Sequence, residues 1–494
     1  MFKKSIAPSL LLLLPVLLVS ACGGGSTGTS TGGGTPPPPS ASHEWTWVDG
    51  ADTIDVNHGN GGVYGTLGVA STSNIPGSRN DATSWTDSSG NLWLFGGYGY
   101  SAQGSFPGSA GIGYLNDLWE YNPTAKTWTW VAGANNTSGN FGSTGIYGTQ
   151  GVASSSNMPG GRTGAAGWTD AQGNFWLFGG SGFDAAGQQG VLNDLWSFNP
   201  GTKQWTWVSG SNINTSATGA TGQPGNYGTL GVASSTNVPG GRGSSVTWTT
   251  SDGTLWLFGG SGFDGNGYAG ALNDLWSFSP STKMWTWVSG SNTLGALYSM
   301  GQVGVYGTQG QASTSNIPGG RWASSGWLDG SGRLWLFGGS GYYNTSSVVL
   351  FNDLWVFDPT AKTWTWVTGS NMPSATGQYG TMGTAGNTPG ARDGAVSWTD
   401  SQHNFWLFGG ISFNDLWEFS PATNNWTWVG GSNTSPGYAT YGSMGTASSA
   451  NIPGGRGQAV GWVGGNGSFW LFGGSGYIYA NSQGSLNDLW KYQP

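Results

Sequence analysis

Short runs of aromatic and aliphatic residues recur along this chain, each bounded by Gly, Pro, Asn or Ser. The run W-L-F-G-G, first seen within Asn91–Gly97, occurs six times. Apolar runs of four to seven residues between turn residues predict β-strands. No long stretch has helical periodicity, so the pattern predicts an all-β protein that is built from an internal repeat.

Four signatures follow one another in a fixed order, and each occurs six times. The first leads from an arginine through small residues to a tryptophan, and W-L-F-G-G, N-D-L-W and W-T-W-V follow. W-T-W-V alternates, which predicts an outer strand with one face in water, whereas L-W-L-F is apolar on both faces and predicts a buried strand. The six arginines are Arg79, Arg162, Arg242, Arg321, Arg392 and Arg456.

The order of the signatures at the two ends of the chain predicts a closed ring. One W-T-W-V, Trp45–Val48, precedes the first arginine, and the chain stops just after the last N-D-L-W. The last unit, Arg456–Tyr492, therefore lacks a fourth strand that Trp45–Val48 can supply. Six four-stranded sheets closed in this way leave only short, protected edges.

These signatures resemble the Kelch repeat, in which an arginine strand is followed by a hydrophobic run ending in Gly-Gly and later by a Trp. The resemblance covers about 44–494 and implies a six-bladed Kelch-type β-propeller, with four-stranded blades closed by the N-terminal strand, over residues 43–494. Kelch repeats run about 50 residues. The arginines here are 83, 80, 79, 71 and 64 residues apart, so each blade carries insertions.

The insertions fall in two kinds of link, those between the second and third strands and those leading from the fourth strand to the next blade. In an up-and-down blade both kinds emerge on one face, which predicts a loop-rich binding face. The longest links repeat Y-G-T-x-G-x-A-S, and a phrase present in every blade predicts loop packing. Only Ile411–Phe413 separates Gly410 from Asn414, which predicts a notch beside the fifth blade.

Four residues are candidate ligand contacts on this face: Trp322, Tyr343, Tyr479 and Arg321. Trp322 is the one tryptophan of 31 outside the signatures, and it follows Arg321 directly. Tyr343 and Tyr479 are also off register, in links between second and third strands. Exposed aromatic rings stack on sugars or anchor partner side chains, although the same rings can simply pack on loops. The six arginines either form a basic ring that binds acidic peptides, as in related Kelch domains, or pair with the aspartates of N-D-L-W.

Catalytic and metal chemistry have weaker support in the sequence. Kelch-type folds include galactose oxidase, whose copper is held by two His and two Tyr, with one Tyr cross-linked to Cys. The chain has one cysteine, Cys22, and three histidines, which predicts no metal and no cofactor and disfavours Ser-His-Asp catalysis. The sequence leaves one catalytic alternative, a pair of carboxylates on the loop-rich face that uses Asp184, Asp264 or Asp393. Asp264 also begins D-G-N-G, which is typical of a turn and lacks the Glu of a calcium loop.

The N-terminus predicts a bacterial lipoprotein. Residues 1–21 have two lysines, a short apolar core and small residues, as a secretory leader does. Val19–Cys22 resembles a lipobox, which implies lipidation of Cys22 and membrane anchoring by several acyl chains. Residues 22–42 then form a tether rich in Gly, Ser, Thr and Pro. We expect an extracytoplasmic protein on a bacterial membrane, at the outer membrane or cell surface.

The charge of the chain narrows the class of partner. The net charge is −8, and about −10 without the two lysines of the leader (−8 minus 2), and no basic run exists, so nucleic acid is not expected. These features together predict a membrane-anchored binding scaffold for a protein or glycan at the loop-rich face. The alternatives are a carbohydrate-active enzyme, like the sialidases and sialic-acid epimerases that propellers include, and a structural surface-layer component.

Overall fold

The computed structural model describes residues 43–55, 58–102, 111–137, 141–215, 221–294, 300–343, 347–480 and 482–494. The predicted leader, Cys22 and tether lie outside these residues. Within the described ranges every regular element is a β-strand, as the apolar pattern predicted. A search of the same ranges for a helix able to cross a membrane found none.

Four-stranded antiparallel groups account for most of the described strands. Each group starts with the strand that follows an arginine and ends with W-T-W-V. In spatial order the strands are Thr83–Thr86, Leu92–Phe95, Leu118–Asn122 and Thr127–Ala132 in group 1; Ala166–Thr169, Phe175–Phe183, Gln189–Asn199 and Gln204–Ser209 in group 2; Val246–Thr249, Leu255–Phe263, Ala269–Ser279 and Met284–Ser289 in group 3; Ser325–Leu328, Leu334–Phe337, Leu354–Asp358 and Thr363–Thr368 in group 4; Val396–Thr399, Phe405–Phe408, Leu416–Ser420 and Asn425–Gly430 in group 5; and Val460–Val463, Phe469–Phe472, Leu489–Gln493 and Glu44–Asp49 in group 6.

Hairpin extensions continue the second and third strands beyond Gly-Gly in every group except group 5. In group 2 the second strand continues past the W-L-F-G-G signature, through a register shift at Gly179 and Gly180. Gly179 has a φ of 67°, and a Cβ there would lie 2.7 Å from the Arg242 carbonyl oxygen, so only glycine fits. The remaining short strands are Arg79–Asn80, Tyr98–Tyr100, Ile112–Tyr114, Arg162–Thr163, Arg242–Gly243, Arg321–Trp322, Ser340–Tyr342, Val348–Leu350, Ala385–Asn387, Ala447–Ser448, Arg456–Gly457, Ser475–Tyr477 and Gln483–Ser485.

The first and last strands of the described chain pair with each other. Trp45 lies opposite Tyr492 and Trp47 opposite Trp490 in an antiparallel register. The pairing of the N-terminal strand with the C-terminal strand, predicted from the order of the signatures, is therefore confirmed. It buries Trp45 to 5% exposure against the C-terminal strand.

Neighbouring groups are joined by hydrophobic clusters and by a cycle of indole hydrogen bonds. The first-strand tryptophan of each group donates its Nε1–H to a second-strand carbonyl of the next group, as Trp85 does to Trp176 at 3.3 Å. The cycle returns to its start, because Trp462 of group 6 donates to Trp93 of group 1 at 3.0 Å. A cluster that includes Leu92 and Trp470 packs the same two groups together. Sheets packed face to face around a closed cycle form a β-propeller.

Candidate functional site

Arg321 is buried in an ion pair, and so are the five equivalent arginines. Its guanidinium binds both carboxylate oxygens of Asp353 at 2.7 and 2.9 Å, and both side chains are shielded from solvent. The remaining contacts are the carbonyls of Gly319 and Gly338, with the Phe351 ring below at 4.4 Å. This geometry argues against Arg321 as a ligand contact and supports the other interpretation, in which each arginine pairs with the aspartate of N-D-L-W.

The tyrosine of the repeated link phrase completes each buried ion pair. In group 1, Tyr64 donates its hydroxyl to Asp117 at 2.6 Å, and the Trp119 indole donates to the same carboxylate oxygen at 2.7 Å. Burial first, and the Asp117 charge second, raise the pKa of Tyr64 well above its ordinary value, so the phenol remains a donor. Downstream in the phrase, Ser71 pairs with Trp128 on the outer strand. The phrase is therefore part of the scaffold, as its repetition predicted.

A second cycle of hydrogen bonds surrounds the axis, just below the loop-rich face. The residue two positions after each arginine has a left-handed backbone, with φ between 53° and 66°. Its N–H donates to the carbonyl of the equivalent residue in the preceding group, and all six bonds are 2.8 Å long. We call this cycle the axial ring; its members are Asp81, Gly164, Ser244, Ala323, Gly394 and Gln458.

Above the axial ring, five side chains from four groups converge in what we call the axial mouth. Trp322 lies directly opposite Ser340 in the register of group 4. The Ser340 hydroxyl donates to a carboxylate oxygen of Asp393 in group 5. Across the axis, Ser244 of group 3 donates to Asp81 of group 1 at 3.1 Å. The mouth thus combines one indole, two hydroxyls and two carboxylates.

The two carboxylates of the axial mouth interact electrostatically. Burial raises the pKa of Asp81 to about 6, the Ser244 hydrogen bond opposes this rise, and the negative charge of Asp393 adds to it. Asp393 lies at the same mouth, where it accepts a hydrogen bond from the Ser340 hydroxyl. Two carboxylates in different surroundings at one opening can bind a cation, accept hydrogen bonds from hydroxyl groups or exchange protons.

Trp322 provides a partly exposed apolar surface beside these polar groups. Its ring packs against Tyr342 with a centroid separation of 6.0 Å and an interplanar angle of 54°. Both rings are partly exposed, unlike the signature tryptophans of the first three strands, which are buried. Trp322 directly precedes Ala323 of the axial ring, so its backbone lies beside that ring.

Tyr343 and Tyr479 lie away from the axial mouth, in the hairpin extensions of groups 4 and 6. Tyr343 donates its hydroxyl to the sulfur of Met372 at 3.2 Å. Tyr479 is 53% exposed in a turn. No contact between described residues joins either ring to Trp322, so the structure does not unite the three aromatic candidates in one site.

The other acidic candidates of the loop-rich face are fixed in turns. Asp184 and Asp264 are each 1% exposed. Asp264 accepts hydrogen bonds from the backbone N–H groups of Asn266, Tyr268 and Leu294, which confirms the turn interpretation. Among the described residues, no three His, Cys, Asp or Glu side chains are grouped so that they could bind a metal ion.

A cavity of about 360 Å³ lies along the first strands of four groups, toward the opposite face. Its polar lining consists of hydroxyls such as Ser84 and Thr247, which donate to carbonyls of the neighbouring group at 3.3 and 3.1 Å. Because these hydroxyls already have partners, the cavity offers little chemistry. The convergent polar groups lie at the axial mouth.

Sequence reasoning missed Asp81, Ser244, Ser340 and Tyr342. One signal was available, since the two residues after each arginine differ between repeats whereas their surroundings do not. Reading these two columns would have marked Asp81, Trp322 and Asp393 together. Their convergence on the axis still required the structure.

No protein-family model and no curated protein matches the chain. A solved structure titled "Structure of YjhT" is similar over 84% of this chain and 95% of that chain, with 15% sequence identity and a TM-score of 0.47.

Proposed function

We propose that this protein is a six-bladed Kelch-type propeller, spanning residues 43–494, that binds a glycan at the axial mouth. The Kelch assignment is supported by the repeated arginine strand and Gly-Gly, and the blade number by the six traced groups. A protein ligand on the same loop-rich face is the other form of the binding-scaffold hypothesis.

The observation that carries the proposal is Trp322 beside Ser340 and Asp393. Sugars have apolar C–H faces that stack on aromatic rings, and hydroxyl edges that need acceptors and donors nearby. Carboxylates and a serine hydroxyl provide both, within one opening. The signature tryptophans of the first three strands are largely buried and have no such arrangement.

A glycan array probed with the full chain and with Trp322→Ala tests the proposal. We expect binding by the intact protein and its loss in the variant, because the stacking surface is removed. Tyr268→Ala is the matched control, since Tyr268 is another exposed aromatic, 38% accessible, but lies in a hairpin of group 3. Binding that survives Trp322→Ala would reject this site, and a protein that binds no glycan would reject the function.

A carbohydrate-active enzyme is the second candidate, and the pair Asp81 and Asp393 favours it. Glycoside hydrolysis uses two carboxylates, of which one is protonated near neutral pH. The raised pKa of Asp81 is compatible with that role. Any glycan found on the array should be incubated with wild type and Asp81→Asn, and turnover that disappears only in the variant would support catalysis.

We further propose that Cys22 anchors the mature chain to a bacterial membrane, with the tether 22–42 holding the propeller outside the cytoplasm. The lipobox-like Val19–Cys22 supports this placement. Metabolic labelling with a radioactive fatty acid should label wild type and leave Cys22→Ser unlabelled. Equal labelling of both would remove the anchor from the proposal.

A further inference from the structure

At the axial mouth, no free charge is available from the arginines of the chain or from four of its five lysines beyond the leader. Six arginines are in the buried ion pairs, and Arg333 pairs with Asp329 in a turn on the opposite face. Four lysines lie in the tight turns between third and fourth strands, on that same opposite face. These lysines are Lys126, Lys203, Lys283 and Lys362.

The fifth lysine does not reach the mouth either. Lys491 lies within the strand Leu489–Gln493, with its ammonium 5.8 Å from the centre of the Trp470 ring. The gaps in the described ranges between 43 and 494 contain no lysine or arginine. The axial mouth therefore has two carboxylates and no basic side chain among the described residues to balance them.

This imbalance acts on any ligand that stacks on Trp322. A carboxylate or sulfate on the ligand would meet Asp81 and Asp393 without a counter-charge, and would be repelled. An ammonium group would be attracted by both carboxylates and by the face of the indole. A neutral hydroxyl would gain only ordinary hydrogen bonds.

Resting on the proposed glycan binding, we infer that the axial mouth selects amino sugars with a free, protonated amine over neutral and acidic sugars. Trp322 stacks on the sugar ring, and Asp393 and Asp81 receive the ammonium. The selected class is therefore a glycan of the glucosamine type without an acetyl group. An acidic sugar such as a sialic acid is disfavoured, because each arginine already has its own aspartate.

Three oligosaccharides of equal length and linkage separate these contributions. They are β-1,4-linked oligomers of glucosamine, N-acetylglucosamine and glucose, which differ only at one ring carbon. Calorimetric titration of the full chain, just above the pKa of Asp81, should show the free amine binding about tenfold more tightly than the hydroxyl form. This preference should shrink as salt is added, since part of it is electrostatic.

Two variants assign the preference to the mouth. Asp81→Gly should keep the fold, because groups 2 and 5 already have glycine at this position of the axial ring. Asp393→Asn keeps the shape of the side chain and its bond to Ser340. In the double variant the tenfold preference for the amine over the glucose oligomer should disappear, and the two oligomers should bind equally, more weakly than to wild type because carboxylate acceptors are lost.

The outcomes distinguish this inference from the proposed function. Neutral and amine oligomers that bind equally to wild type, and are both lost in Trp322→Ala, would overturn the charge selectivity and leave glycan binding intact. An amine preference that persists in the double variant would place the cation site elsewhere and also overturn the inference. If none of the three oligomers binds, the inference falls together with the proposed function for this glycan class.

Discussion

The buried ion pairs and the axial mouth lie close together in each repeat but follow opposite rules. In the ion pairs every group has the same arginine, aspartate, tyrosine and tryptophan, with nearly the same distances. At the mouth, one or two residues further along the chain, the six groups differ in nearly every side chain. A fold needs the same support six times, whereas a ligand needs a particular set of groups once.

This contrast predicts that the ion pairs contribute to the free energy of folding, whereas the axial mouth contributes to the free energy of binding. Changes in the ion pairs should reduce stability strongly and alter binding only through unfolding. Changes at the mouth should leave stability nearly unchanged and alter binding directly. The following predictions test this separation, beginning with the largest expected change in stability.

Removing one aspartate from a buried ion pair should have the largest effect. Asp274→Ala leaves the Arg242 guanidinium, less than 1% exposed, without a counter-charge and also deprives Tyr227 and Trp276 of their acceptor. We expect a loss of about 3–5 kcal/mol in the free energy of unfolding, measured by urea denaturation.

The partly exposed ion pair of Arg333 and Asp329 provides the control. Arg333 is 42% exposed, so Arg333→Ala should cost about 0–1 kcal/mol. Equal losses in the two variants would show that burial does not determine the contribution of the arginine pairs, and the contrast between scaffold and mouth would weaken.

Removing a single hydroxyl from the same cluster should have an intermediate effect. Tyr227→Phe deletes the 2.6 Å hydrogen bond to Asp274 but leaves the carboxylate paired with Arg242. Hydrogen bonds to charged groups contribute about 1.5–3 kcal/mol, so denaturation should show a loss in that range. A loss near zero would mean that the link phrase covers the cluster without stabilising it.

Much of the scaffold could be predicted from the sequence because repetition makes its chemistry visible. Equal copy number of Arg and Asp favoured pairing over a free basic ring, and the order of signatures predicted the pairing of Trp45 with the C-terminal strand. The lengths of the second strands could not be predicted from the sequence. The W-L-F-G-G signature does not reveal that positive φ at both glycines bends the chain and lets the second strand of group 2 continue to Phe183.

The axial mouth could be predicted only in part, because its residues are distant in sequence and come from different repeats. Trp322 stood out as the tryptophan outside the signatures, but nothing in the sequence places Asp81 across the axis from Asp393. The axial ring could not be predicted from the sequence either. Its left-handed positions carry Asp, Ser, Ala and Gln besides glycine, and Ser, Ala and Gln give no sign of such a backbone in a sequence.

The pH dependence of stability distinguishes Asp81 from the buried carboxylates. Its pKa is raised to about 6 in the folded protein, from about 3.9 in an unfolded chain, so the folded state binds the proton more tightly. Stability from this group is therefore present in acid and lost as pH rises from about 4 to about 6. In Asp81→Asn this decline should be missing, and urea denaturation across that window measures the difference.

The groups that face Asp81 at the mouth are Ser244, which is neutral, and Asp393, whose charge adds to the rise. Asp393→Asn should therefore lower the pKa of Asp81, which NMR titration of its carboxyl carbon would report. A stability difference between wild type and Asp81→Asn that is constant across the window would contradict the placement of Asp81 in a partly buried, acidic mouth.

The smallest effect is expected at Gln458, where scaffold and mouth meet in one residue. Its backbone belongs to the axial ring, with a φ of 58°, while its side chain is exposed. Gln458→Gly removes about 1–2 kcal/mol of left-handed strain, and glycine returns about 0.5–1 kcal/mol through greater freedom of the unfolded chain. The net change in unfolding free energy should be a gain of about 0–1.5 kcal/mol. Gly394→Ala is the opposite exchange at the equivalent position of the axial ring. It should destabilise the folded protein, because φ is 62° and the added Cβ would lie 3.0 Å from the Gln458 backbone nitrogen. If Gln458→Gly instead destabilised the protein strongly, the Gln458 side chain would contribute to the stability of the axial ring. Variation between repeats at this position would then no longer indicate that the mouth is the ligand-binding part of the repeat.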